Sequence, residues 1–136
     1  MTLRTVHQTD FTPSNGNALQ ACFASIFDKN LEDVPNFIAD PRGYMAAINA
    51  WLEPQDRTFV KLDLTPQGTL PPHANALAVG MPVLLRGKSP RGEHAHVVVA
   101  TVDSSGRAFV PTIDPHPDNT FLDGVGQWVG VIVVNN

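Results

Sequence analysis

His96, near the start of an apolar strand, and Asp114, closing the next one, are the residues whose types and order most directly spell out chemistry. An imidazole exchanges protons near neutral pH, and an aspartate bonded to it fixes its tautomer and steadies its charged form. In Gly92-Glu93-His94-Ala95-His96-Val97-Val98-Val99, His94 and His96 share a face at strand period, and the apolar run behind them anchors the strand. Asp114 lies in Ile113-Asp114-Pro115-His116-Pro117-Asp118, where two prolines stiffen the turn. Upstream, Gly16-Asn17 runs into an apolar helix that opens at Ala18. At such an opening the unpaired backbone N–H groups and the positive end of the helix dipole lower the pKa of a thiol and receive an oxyanion. Gln8 carries an amide suited to donate the second hydrogen bond to that oxyanion. Position 18 itself is alanine, which has no heteroatom to attack a carbonyl.

Each motif also fits a plainer part: Gly16-Asn17 as a capping turn, the histidines as strand-end residues, the Asp114 turn as a local backbone cap. A metal-dependent hydrolase is a further alternative, since His94 and His96 on one strand make a reasonable zinc pair that Asp114 and His116 would complete. Cys22, the single cysteine, lies one turn after Ala18 on the same helix face, where a free thiol more often serves as a small buried hydrophobe than as a nucleophile.

Positioning these residues requires a helix and several strands. Leu19, Cys22, Phe23, Ile26 and Phe27 recur at helical spacing and predict a helix from Ala18 to about Asp28, after the turn-rich Thr12–Asn17 and with Asn17 as its N-cap. A short second helix is expected over Leu31–Phe37, capped by Asn30 and kept short by Pro35. A third is expected over Arg42–Leu52, opened by Pro41, with Met45, Ile48, Trp51 and Leu52 as its buried stripe. Strands are predicted at Thr58–Leu62, Pro82–Arg86, His96–Ala100, Arg107–Pro111 and Gln127–Val134, with Asp103–Gly106 as a hairpin turn. Helices first and a mostly antiparallel sheet afterwards give an α+β fold with the helices on one face. Thr65–Asn75, long, polar and proline-containing, is expected to be a mobile loop.

With 136 residues the chain suits a single domain over residues 1–136. Hydrophobic residues at 43% and charged residues at 16% describe an ordinary globule, and no apolar run nears the ~20 residues that span a bilayer, so no membrane partner is expected. The first residues lack a basic-then-apolar export pattern, and one cysteine forms no internal bridge; both point to a cytoplasmic location. A net charge of −4 without a lysine- or arginine-rich stripe argues against nucleic acid as partner. No cofactor is called for.

Taken together, Gln8, Gly16-Asn17-Ala18-Leu19-Gln20-Ala21-Cys22-Phe23-Ala24-Ser25, His96-Val97-Val98-Val99 and Asp114-Pro115-His116-Pro117 resemble small papain-like cysteine peptidases related to the bacteriocin-processing leader peptidases, found largely in phage and bacterial genomes. The resemblance runs from Gln8 to about Pro117 and includes Leu31-Glu32-Asp33-Val34-Pro35-Asn36-Phe37. In that family the motif reads Gln … Gly-(Asn/Asp)-Cys-x-x-Ala-Cys-x-Ala-Ser. It implies a papain-like fold, Gln8 as oxyanion donor, position 18 as nucleophile, His96 as base and Asp114 as its orienter. Asn17, His94 and His116 would contact a peptide or protein substrate, in the host cytoplasm if the chain is phage-encoded. Cys22 matches a second family cysteine that is not the nucleophile. The departure is Ala18, which an inactivating Cys-to-Ala substitution would leave behind; a natural pseudoenzyme that grips a peptide without cleaving it is the competing explanation. The same machinery, with its cysteine, also runs deamidation, transglutamination or removal of a conjugated modifier.

Overall fold

The computed structural model describes residues 3–12 and 16–135. Of the turn expected over Thr12–Asn17, residues 13–15 lie outside the described residues. Two helices, α1 (Ala18–Phe27) and α2 (Tyr44–Leu52), precede five strands: β1 (Arg57–Asp63), β2 (Pro82–Lys88), β3 (Ala95–Val102), β4 (Phe109–Ile113) and β5 (Trp128–Val134). The strands form one sheet in the order β1-β5-β2-β3-β4, with every neighbouring pair antiparallel. The α+β class is therefore as expected, and all five strands overlap the predicted segments, with β4 two residues later than Arg107–Pro111. The last strand in the chain inserts between the first two, an order that no local pattern announces.

α1 lies against β3 and α2 against β1. Their apolar residues meet Phe59, Leu84, Val97, Val99 and Trp128 in one cluster, in which Phe23 packs against Phe37, Trp51 and Phe59 with ring centroids 5.1 to 6.0 Å apart. Gly130 makes room for this: a Cβ there would stand 2.3 Å from Phe59 Cζ, so the ring lies directly on the strand. By strand alternation Val83, Leu85, Val98, Ala100, Val129 and Val131 build a second cluster on the other face, to which neither helix contributes a residue.

Three local expectations need correction. Leu31–Phe37 is not a helix: single 3-10 turns occupy Leu31–Asp33 and Phe37–Ala39, and Val34 between them is extended (φ −120°, ψ 132°), as a residue before proline prefers. Asn30 makes no side-chain cap there. The third predicted helix starts at Tyr44 rather than Arg42, because Asp40 draws the Arg42 amide and guanidinium into a local turn, and its fully buried residues are Ala47, Ile48 and Leu52, with Met45 and Trp51 only partly covered. The segment Thr65–Asn75 is tied down: Leu70 is buried and its amide bonds to Arg107 O, while the Arg107 guanidinium donates to Pro71 O and Ala74 O at 3.0 and 2.7 Å. The Asp103–Gly106 hairpin forms as expected, closed by the Asp103 carboxylate on the Ser105 amide.

Candidate active site

β3 and β4 pair only from Val99 to Val102, so β3 has no strand partner on that side before Val99. His96 sits in this unpaired stretch, and Asp114 follows directly on the last residue of β4. Their side chains meet there, His96 Nε2 2.8 Å from Asp114 Oδ1, both almost fully buried. Burial would raise the Asp114 carboxyl, but hydrogen bonds from His96 and from the amides of His116 and Phe121 outweigh it and hold the group below its ordinary value. An ionised carboxylate only accepts, so Nε2 carries the proton and Nδ1 is the ring nitrogen with its lone pair free of that bond. The second carboxylate oxygen accepts from Phe121 N at 2.7 Å, pinning a phenylalanine at φ 61°, a backbone conformation that bulky residues rarely adopt.

The N-terminal segment reaches this pair through the backbone. Gln8 N donates to Pro115 O at 2.9 Å, fixing Gln8 beside the Asp114 turn. The Gln8 side chain is buried, with Nε2 donating to Asp10 O and Oε1 without a partner among the described residues. Asp10 O also accepts from Asn17 N, so one carbonyl joins Gln8 to the residue before α1. Asn17 does not cap α1; its carboxamide oxygen accepts from the amides of Thr9 and Asp10, and its nitrogen donates to Thr9 Oγ1. Gly16 allows the crossing, since a Cβ at this position would lie 2.6 Å from Thr12 O. With the cap residue committed elsewhere, the first amides of α1 keep no side-chain partner from position 17.

Ala18, Gln8 and His96 line one cavity of about 680 Å³ together with His94 and His116, a volume within the ~300–1,000 Å³ range of ligand sites. The structure thus brings together the four sequence-predicted residues Gln8, Ala18, His96 and Asp114, the last through its bond to His96. Asn17, expected to touch substrate, is instead a buried latch that does not line the cavity. The metal reading is not supported by the ligand geometry. Among the described residues no group of three or more His, Cys, Asp or Glu is placed to hold an ion. Asp114 is spent on His96 and two amides, and His116 Nδ1 accepts from Asp118 N. Cys22 is fully buried with Sγ 3.6 Å from Val97 O, and burial, then the nearby Asp114 charge, pushes its thiol far up, opposite to what a nucleophile needs. No helix among the described residues is long and apolar enough to cross a membrane.

Sequence reasoning passed over Tyr44, Lys61, Arg86 and Trp128, which also line the cavity. One signal was present: Phe59, Lys61 and Asp63 share a face at period two, so β1 leaves the core and enters a polar space. No family model matches this chain, nor does any curated protein or solved structure, so the papain-like resemblance rests on the residues quoted above.

Proposed function

We propose that this fold is that of a papain-like thiol hydrolase acting on an amide, peptide or isopeptide bond, with alanine at the position of the nucleophile. The observation that carries the reading is the buried His96–Asp114 pair, whose imidazole lines, with Gln8, the cavity into which α1 opens at Ala18. With a thiol at position 18, His96 Nδ1 would take its proton and the thiolate would attack the carbonyl carbon. The oxyanion would sit between the opening amides of α1 and the Gln8 carboxamide, and the proton would pass from His96 to the leaving amine as the C–N bond breaks. Water would then hydrolyse the thioester. As it stands, the Ala18 chain binds such a substrate without cleaving it.

The test is Ala18→Cys followed by iodoacetamide alkylation. Its background is clean because Cys22, the one cysteine of the Ala18 chain, is buried. Alkylation at position 18 faster than a free thiol at pH 6, lost in the double variant with His96→Ala, is the expected result. Labelling no faster than that of Cys22 would end the thiol reading in favour of a second one, which Ala18 itself favours: a module that grips a peptide in this cavity and performs no chemistry.

A further inference from the structure

We infer that Lys61 and Arg86 form a carboxylate-binding subsite in this cavity, selecting peptide segments that carry an acidic group. Register places Asp63, Trp128 and Arg86 side by side on β1, β5 and β2, with Lys61 two residues before Asp63 on the same face. The Lys61 ammonium lies 5.2 Å from the Trp128 ring centroid. Trp128 is held in turn by Tyr44, stacked at 6.3 Å with 7° between planes, and by Phe59 edge-on.

Of the three Lys and Arg side chains that line the cavity, Arg91 sits on Asp118, whereas among the described residues neither Lys61 nor Arg86 has a carboxylate within ion-pair distance. Arg86 instead bonds through one nitrogen to Gln127 Oε1, a neutral partner that orients the guanidinium and leaves its other N–H groups and its charge uncompensated. The chain carries −4 overall, yet this wall of the cavity sets two uncompensated cations against a single carboxylate, Asp63. A carboxylate at that point gains two charge-assisted contacts beside the Trp128 ring.

The inference rests on the peptide-binding reading of the site but not on catalysis. The carboxylate comes either from a Glu or Asp side chain or from the free C-terminus of the bound segment. The experiment uses the isotope-labelled Ala18 chain and follows the Trp128 indole N–H and Arg86 Nε–H resonances during titration with randomised, acetylated and amidated octapeptides. One pool carries a fixed Glu and one a fixed Gln, and a third pool without acidic residues is tested with free and with amidated C-termini.

A preference of about fivefold for Glu over Gln, or for the free over the amidated terminus, is the size expected of a partly exposed ion pair. It identifies the source of the carboxylate by which comparison shows it. Lys61→Gln with Arg86→Gln should abolish the preference, and Lys61→Glu should turn it toward a fixed-Lys pool. Equal binding of all pools, no binding of any, or a preference that survives the double substitution overturns the inference. Rapid alkylation of the Ala18→Cys protein combined with no charge preference would sink this subsite alone. A charge preference without that alkylation would sink the hydrolytic reading alone.

Discussion

On one face of the sheet α1 and α2 bury Phe23, Ile26, Ile48 and Leu52 against Phe59, Leu84, Val97 and Val99; on the other, valines and leucines of β2, β3 and β5 are covered by connecting segments that bring Leu70, Leu77, Phe121 and Leu122. The first face is held by rings whose shapes interlock, and the second by aliphatic contact plus polar ties such as that of Arg107 to the 71–74 backbone. The contrast teaches where rigidity comes from. The helix that opens the cavity is fixed by packing, while the far-face connection that carries Phe121 is tied to Asp114 by a hydrogen bond. Damage to the two faces should therefore differ in kind.

The largest effect is expected from Phe23→Ala, a fully buried ring in contact with four other aromatic side chains, which should cost about 4 kcal/mol in urea denaturation. A loss under 2 kcal/mol would show that the helix-bearing face can collapse around the void and is not interlocked.

Asp114→Asn comes next, at about 3 kcal/mol at neutral pH, because it strips the charge from a buried pair and unpins Phe121. Its pH dependence follows from the lowered carboxyl. The unfolded chain binds the proton first on acidification, so the stabilisation from Asp114 is complete above about pH 5 and fades as pH falls through ~3.9 toward the folded-state value. The gap between parent and variant should narrow from pH 7 to pH 3; a gap that stays constant would assign the loss to packing.

Gly130→Ala forces its methyl group into the Phe59 ring and should cost about 2 kcal/mol, a penalty that Phe59→Leu in the same chain should largely relieve. Arg107→Ala should cost only about 1 kcal/mol globally, yet raise hydrogen exchange at the Leu70 amide selectively. Uniform exchange changes across both faces would erase the distinction between packed and tied regions.

The parts of this molecule legible in the sequence are those governed by local pattern. The valine runs of β2, β3 and β5 and the apolar spacing of α1 need only their own periodicity, and the meeting of His96 with Asp114 follows from a hairpin whose turn residues are explicit. What escaped depends on partners distant in the chain. The Lys61–Trp128–Arg86 wall exists because β5 inserts between β1 and β2, and the Thr65–Asn75 connection is ordered by an arginine more than 30 positions away. Leu31–Phe37 departs from its helical spacing for a local reason: Val34, the residue before Pro35, resists helical geometry.

Asn17 holds the N-terminal segment at Thr9 and Asp10 at the expense of the helix it precedes. An engineer seeking heat resistance would install serine there, whose short side chain can turn to the opening amides of α1 and add roughly 1 kcal/mol of helix capping. In this chain the exchange would cut three bonds that carry Gln8 to its place, so a more durable protein and a correctly assembled pocket are competing goals at a single position.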